Sequence, residues 1–267
     1  MATPQPDRQQ RLPELATRRI LICRPEPEAS RLAEAFRAAG AECRTMPLLV
    51  REPLPETPEQ RTQLQELDNF SHVIAVSPFA AGLLLDHIDH WWPQIPLGIQ
   101  WYGVGSGTSS VFAGHGLKAR QPRQGWTSEA LLELPSLQNL AGDKVLLARG
   151  EQGRELIRET LEQRGAKVSV MPLYRRAQPY YPPEQVDEIF GNFRPEVVIA
   201  LSGETLNNLN DLATGYQLGL HRTLVVVPAE RVARKAEEAG FTNLIIPAGL
   251  DDQSLITSVA SKLAAKS

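Results

Sequence analysis

Cysteine is scarce in this chain, with only Cys23 and Cys43 among 267 residues. The two form no CxxC pair and no metal-ligand spacing, which excludes a disulfide-built scaffold and a cysteine-rich metal site. Such a low content is typical of proteins from reducing compartments. We therefore expect a cytoplasmic protein without a structural metal.

Long apolar runs and a large excess of one charge are also missing. No stretch approaches the roughly 18 apolar residues of a membrane-spanning helix, and the polar, proline-containing start has no apolar core for a signal peptide. The net charge is −3, which excludes binding of nucleic acid through overall charge. We expect no membrane and no nucleic-acid partner, and a bound anion would need a local cluster of donors.

Nucleotide-binding motifs are weak or absent. The glycine-containing segment GSGTSS at 105–110 is not followed by the Gly-Lys-Ser/Thr of a phosphate-binding loop, and it does not fit GxGxxG. The sequence therefore gives only a weak indication of nucleotide binding.

The sequence does contain an internal repeat. Residues 20–53 align without a gap over residues 145–178, and 10 of the 34 aligned residues are identical, against about two expected by chance. Both windows contain Met-Pro-Leu, but the second copy carries Tyr174 where the first has Leu49. The segments VIAVS and VIALS keep the same offset of 125 residues. We predict two copies of one unit.

Each copy alternates apolar strand patterns with amphipathic helix patterns. The runs HVIAVS and EVVIALS lack the polar alternation of half-exposed strands, which indicates parallel sheets covered on both faces and an α/β fold. Ligands of such sheets bind at the carboxyl ends of the strands. Serine and threonine at these ends can cap helices, and the helix N–H groups beside them can bind anions. The predicted strand ends are Arg24-Pro25, Ser77-Pro78, 105–110, Arg149-Gly150 and Ser202-Gly203.

In order and spacing, these segments resemble the uroporphyrinogen-III synthase family. The resemblance extends from about Arg18 to Leu263 and rests on RP after the first strand, MPLL, VSP, VGSGT, RGEQGRELIRETLEQRGAKV and MPLYRR. It implies two similar flavodoxin-like parallel-sheet domains joined by a two-stranded connector, with the first strand–helix unit packed in the domain formed by the C-terminal part. The implied limits are 1–47 with 179–267 for domain 1, 54–172 for domain 2, and 48–53 with 173–178 for the connectors.

The resemblance also implies an enzyme, a carbon–oxygen lyase of tetrapyrrole biosynthesis that acts on the linear tetrapyrrole hydroxymethylbilane. The hydroxymethyl group leaves as water, and the resulting cation attacks the far ring. The spiro intermediate then recloses with the last ring inverted, which gives uroporphyrinogen III. The implied reaction needs no cofactor and no metal. We expect a monomer that contacts the preceding enzyme of the pathway transiently.

The resemblance places Tyr174 in the substrate cleft as the favoured proton donor, because a phenol is protonated at neutral pH. The alternative is an aromatic side chain packed on a connector strand. Hydroxyls, arginines and glycines at the strand ends would bind the substrate, although a helix cap or a surface ion pair explains several of them equally well. The expected substrate-binding residues are Arg24, Ser77, Ser106, Thr108, Arg149, Gly150, Ser202 and Gly203.

Two other classes of protein fit parts of the pattern. A non-catalytic two-lobed binding protein for a small polyanionic ligand would share the repeat and the hydroxyl-rich strand ends. A response-regulator-like or nucleotide-binding module would need acidic residues at the first strand end, where Arg24 and Arg149 stand instead. An assay with hydroxymethylbilane separates these possibilities.

Overall fold

The computed structural model describes residues 12–123, 125 and 127–265. These residues form two compact units: unit 1 contains residues 12–50 and 177–265, and unit 2 contains residues 51–176 apart from 124 and 126. Residues 1–11 of predicted domain 1 lie outside the described residues. The predicted domain limits and connectors stay predictions.

Unit 1 contains a five-stranded parallel sheet. Strands from the first repeat copy lie beside strands from the second, since Ile20 is opposite Val197. This confirms that the first strand–helix unit packs with the C-terminal part of the chain. The strands, in sheet order, are β11 (Leu244–Ile245), β10 (Leu224–Val226), β9 (Val197–Ile199), β1 (Arg19–Ile22) and β2 (Glu42–Thr45).

Unit 2 contains a six-stranded sheet, five strands of which run parallel to their neighbours. The edge strand β3 has no counterpart in the five-stranded sheet of unit 1. The strands, in sheet order, are β3 (Val50–Pro53), β8 (Lys167–Ala177), β7 (Lys144–Gly150), β4 (His72–Ala75), β5 (Gln100–Gly103) and β6 (Ala119–Arg120).

The two sheets share one strand order. The order β2-β1-β9-β10-β11 in unit 1 corresponds to β8-β7-β4-β5-β6 in unit 2. Unit 1 has the flavodoxin-like order 2-1-3-4-5, in which the chain reverses its direction of progress between the first and third strands. Unit 2 has the same arrangement when β7 and β8, which come last in the chain, are counted as its first two strands. This switch point lies between β1 and β9 in unit 1 and between β7 and β4 in unit 2. Ligands of such folds bind outside the carboxyl ends of the strands at this point.

Helices accompany both sheets. Short 3₁₀ turns also occur at Pro13–Leu15, Leu67–Asn69, Pro135–Leu137 and Leu220–Arg222. In unit 1 the helices are α1 (Glu28–Ala38), α7 (Pro183–Val186, continued by the π-helical stretch Asp187–Phe193), α8 (Gly203–Gly215), α9 (Glu230–Glu238) and α10 (Asp252–Ala264). In unit 2 they are α2 (Pro58–Gln65), α3 (Pro78–Trp91), α4 (Ser106–Gly114), α5 (Ser128–Leu132) and α6 (Leu156–Gln163).

Each sheet is buried on both faces. In β1, Ile20 and Ile22 belong to one apolar cluster and Leu21 belongs to another. The same alternation in β7 places Leu146 and Val145 in different clusters. A strand buried on both sides needs an apolar residue at every position, which explains why the central strands read as continuous apolar runs. Within the described residues, no helix is both long and apolar enough to cross a membrane.

Candidate active site

Two serines occupy equivalent helix starts in the two units. Ser77 caps α3 and accepts a hydrogen bond from Ala80 N at 3.1 Å, and Ser202 caps α8 and accepts one from Thr205 N at 3.0 Å. Each serine comes just after a central strand, at the carboxyl edge of its sheet. Each serine therefore satisfies one backbone N–H group at the start of its helix, a position where helix N–H groups can also bind an anion.

Six of the eight predicted substrate-binding residues lie at the two switch points, and the other two, Ser106 and Thr108, lie on α4 after β5. In unit 2, Arg149 and Gly150 end β7, and Ser77 follows the neighbouring β4. In unit 1, Arg24 comes two residues after β1, and Ser202 follows the neighbouring β9 within three residues. The repeat therefore places an arginine and a serine at the same topological position in each unit.

Tyr174 distinguishes the unit 2 site from its counterpart in unit 1. Its side chain is only 5% exposed, and its phenol oxygen lies 3.4 Å from Ser77 Oγ. Its backbone carbonyl accepts a hydrogen bond from Glu151 N at 2.7 Å. The ring covers the backbone of Gly150, where a Cβ atom would lie 3.0 Å from the ring carbons Cε2 and Cζ. Glycine at this position therefore permits the close approach of the phenol.

A β-bulge sets the direction of the Tyr174 side chain. Arg149 lies opposite Pro172, whereas the next residue, Gly150, lies opposite Tyr174. Leu173 is thus one extra residue on β8. Consecutive side chains of a regular strand point to opposite faces, yet Leu173 and Tyr174 are buried in the same apolar cluster. Bulges commonly re-aim a side chain in this way.

Arg149 is held in place by an acidic neighbour. Its Nη2 donates to Glu155 Oε1 at 2.6 Å, and its Nη1 donates to the carbonyl of Arg154 at 3.3 Å. Arg158 Nε donates to the other oxygen of Glu155 at 2.7 Å. Hydrogen bonds from Arg158 and Arg149 hold the pKa of Glu155 below its ordinary value. The buried Nε of Arg149 has no hydrogen-bond partner among the described residues.

The hydroxyls of α4 are placed differently from one another. Ser106 is exposed at the first position of the helix, whereas Thr108 is 2% exposed. Thr108 packs against Gly103 of β5, where a Cβ atom would lie 2.9 Å from Thr108 Cβ. The structure therefore brings Ser106 to the solvent and Thr108 to the core, and substrate contact by Thr108 stays a prediction.

Sequence reasoning missed Phe79, at the second position of α3. Its ring meets that of Tyr174 edge-on, with the centroids 5.0 Å apart and the planes at 85°. One available signal was its departure from the repeat, since the equivalent position of the second copy is Glu204. Tyr174 likewise differs from its counterpart in the other copy, Leu49.

The site chemistry rests on hydroxyls, guanidinium groups and backbone N–H groups. Within residues 12–123, 125 and 127–265, no group of three or more His, Cys, Asp or Glu side chains could hold a metal ion. Cys23 and Cys43 are free and buried, and burial raises the pKa of both thiols, that of Cys43 to about 11. Neither thiol is therefore prepared to act as a nucleophile at neutral pH.

The chain is similar to known proteins over nearly its whole length. The family model described as uroporphyrinogen-III synthase HemD matches residues 30–257. The uroporphyrinogen-III synthase of Escherichia coli (strain K12) is 30% identical over 247 residues, which cover 90% of this chain and 99% of the relative. That of Salmonella typhimurium is 31% identical over 246 residues, with the same coverage.

A solved structure supports the fold. A mutant uroporphyrinogen III synthase from the extremely thermophilic bacterium Thermus thermophilus has a TM-score of 0.59 and 15% identity, over 94% of this chain and 100% of the other. A likeness at this identity shows the fold alone, whereas the family model spans most of the sequence. The chain belongs to the uroporphyrinogen-III synthase family.

Proposed function

We propose that this chain converts hydroxymethylbilane to uroporphyrinogen III, with loss of water and inversion of the last pyrrole ring. Membership of the family supports the reaction. The observation that supports the site is the buried phenol of Tyr174, 3.4 Å from the hydroxyl of Ser77 at the switch point of unit 2. A non-catalytic binding protein is not favoured, because the curated relatives are enzymes by name.

In the first step, Tyr174 acts as the general acid. The carbon–oxygen bond of the hydroxymethyl group breaks, and the departing hydroxyl takes the phenol proton and leaves as water. A carbocation conjugated with the first pyrrole ring remains, together with a phenolate. Since Ser77 Oγ accepts from Ala80 N, its own hydrogen is free to be donated to the phenolate oxygen.

In the following steps, the last ring is inverted. The cationic carbon bonds to the substituted α-carbon of the last ring and forms the spiro intermediate. The older bond at that α-carbon breaks, and the released cationic carbon bonds to the free α-carbon of the same ring. That carbon then loses its proton, which the phenolate of Tyr174 can take back. The cycle restores the enzyme and produces one water for each substrate.

Binding must fold the substrate so that its two ends meet. The substrate is a polycarboxylate, and carboxylates are bound best by guanidinium groups and by N–H donors at helix starts. The switch points of both units supply such donors. We propose as substrate-binding residues Arg24, Ser77, Ser106, Thr108, Arg149, Gly150, Ser202 and Gly203.

The cellular setting is part of the proposal. We propose a cytoplasmic monomer that meets the preceding enzyme of the pathway transiently. We also propose domains at 1–47 with 179–267 and at 54–172, connected by 48–53 and 173–178. Light scattering during size-exclusion chromatography tests the monomer, and a stable dimer would contradict it.

The test is an isomer assay. The purified chain is mixed with freshly prepared hydroxymethylbilane, the products are oxidised, and the type I and type III porphyrins are separated. Spontaneous closure of the linear tetrapyrrole yields the type I isomer, so we expect the type III isomer only with the folded chain. Heat-denatured chain is the control. Type I product alone, formed at the uncatalysed rate, would overturn the proposed function.

A further inference from the structure

An aromatic pair occurs in unit 2 and not at the equivalent positions of unit 1. Phe79 and Tyr174 correspond to Glu204 and Leu49 in the repeat. The two units nevertheless share their strand order and their serine-capped helices. The fold therefore does not require the pair, which points to a role in the chemistry of unit 2.

The hydrogen bond at the Tyr174 hydroxyl is too long to orient the ring by itself. The separation of 3.4 Å from Ser77 Oγ exceeds the usual O–H···O distance of about 2.7–2.8 Å. Packing on the ring must supply the remaining constraint. Gly150 provides a flat backbone surface at one side of the ring, and Phe79 contacts the ring edge-on.

Phe79 is itself braced by a cation. The guanidinium carbon of Arg51, in β3, lies 5.2 Å from the centroid of the Phe79 ring, within the range of a cation–π contact. Phe79 is only half-buried in the first turn of α3, so a cover on its exposed side limits its rotamers. Arg51, Phe79 and Tyr174 form a continuous row of contacts.

We propose that Phe79 is a positioning residue for Tyr174 and that Arg51 holds Phe79 in place. The inference rests on the proposed function, in which Tyr174 donates a proton. A general acid must be aimed at the leaving oxygen within a narrow range of distance and angle. Phe79 touches the acid and acts only through it.

Kinetics of three variants test the inference. In Phe79→Leu we expect kcat to fall on the order of tenfold, because a mispositioned acid slows chemistry, while KM stays within about twofold. Phe79→Tyr keeps the ring and should retain kcat. Phe112→Leu is the matched control, since Phe112 lies in the same apolar cluster and pairs with Trp101; its kcat should not change. Full kcat in Phe79→Leu, while the wild type is active, would overturn the inference.

A double-mutant cycle separates positioning from general loss of structure. If Phe79 acts only through the phenol hydroxyl, Phe79→Leu should add less than about twofold to the loss already caused by Tyr174→Phe. If the two substitutions instead lowered kcat by independent factors that multiply in the double variant, the inference would be contradicted.

A spectroscopic readout does not depend on activity. With 3-fluorotyrosine incorporated, the fluorine resonance of Tyr174 is identified by its loss in Tyr174→Phe. We expect Phe79→Leu to shift or sharpen this resonance and Phe112→Leu to leave it unchanged. An unchanged resonance in Phe79→Leu would overturn the inference, and so would a shifted resonance with full kcat. An inactive wild type would instead overturn the proposed function, while the fluorine measurement would still test the contact.

Discussion

The phenol oxygen of Tyr174 lies 3.4 Å from the hydroxyl oxygen of Ser77, where β7 and β4 lie side by side. Ser77 belongs to the first copy of the repeat, and Tyr174 belongs to the second. Neither copy alone therefore contains this pair, and the exchange of strands between the copies is what brings the two hydroxyls together.

Removing the hydroxyl of Tyr174 should slow the reaction without unfolding the chain. In Tyr174→Phe we expect kcat to fall roughly 10²–10⁴-fold, the usual contribution of general acid catalysis, while some type III product still forms. The isomer assay measures both. Tyr102→Phe is the control, since its buried hydroxyl lies 3.1 Å from His72 Nδ1 and should affect stability rather than kcat. Unchanged kcat in Tyr174→Phe would show that the proton comes from another donor.

A side chain at position 150 should displace the phenol. The added Cβ of Gly150→Ala would lie 3.0 Å from the Tyr174 ring, closer than ordinary van der Waals contact. We expect kcat to fall on the order of tenfold or more as the ring shifts. Gly153→Ala is the control, because nothing lies within 4 Å of its Cβ position. Equal activity of the two variants would mean that β7 and β8 adjust to the methyl group.

Removing either of the two serine caps should lower stability by a similar amount, but the two changes should affect catalysis differently. Ser77→Ala and Ser202→Ala each remove a cap worth about 1 kcal/mol, so thermal melts should shift by similar amounts. Ser77→Ala should also lower kcat about tenfold, because the phenolate loses a charge-assisted hydrogen bond. Ser202→Ala should raise KM only modestly, about fivefold. Complete loss of activity in a folded Ser202→Ala protein would contradict binding shared among many donors.

Release of Arg149 should weaken substrate binding. Glu155→Gln removes the carboxylate that Arg149 contacts at 2.6 Å, so the guanidinium loses its fixed orientation. We expect KM to rise several-fold, roughly the effect of losing one hydrogen bond to the substrate. We expect little change in kcat. Glu162→Gln is the matched control, since Glu162 accepts a hydrogen bond from Arg158, the other arginine bound to Glu155. A KM equal to that of the wild type in Glu155→Gln would place Arg149 outside the binding site.

Acid should weaken unit 1 through Glu196. Burial alone would raise the pKa of this carboxyl, but hydrogen bonds from Arg19 N and the Arg18 guanidinium hold it below its ordinary value of 4.5. A lowered folded-state pKa adds stability that is complete above pH 4.5 and is lost as the pH falls through the folded-state value. Glu196→Gln should therefore unfold more easily than wild type at about pH 7. The difference in stability between wild type and Glu196→Gln should vanish at low pH. Urea midpoints that differ by the same amount at neutral and at low pH would refute the role of the charge.

Much of the fold could be predicted because it depends on local pattern. Continuous apolar runs identified central strands, and the offset of 125 residues identified the two copies. The resemblance to a family supplied the pairing of β1 with β9, which periodicity alone could not reveal. Ser77 and Ser202 were expected as helix starts because each directly follows a strand pattern.

The site was harder to predict because its geometry depends on register. The bulge at Leu173 decides which face Tyr174 occupies, and it arises from the pairing of β7 with β8 rather than from a turn motif. Thr108 and Ser106 stand two residues apart, and the rotation of α4 alone buries one and exposes the other. Such details are set by packing between segments that are distant in sequence.

The placement of β1 beside β9 has a consequence for synthesis of the chain. Ile20 emerges from a ribosome long before its partner Val197, and at roughly 5–20 residues per second the interval is on the order of 10–35 s. During that time β1 can pair with β2 but lacks its other neighbour, β9, while the segment of unit 2 is completed. Unit 2 can then assemble first, and the segment of β1 must be protected from aggregation until the segment of β9 is made.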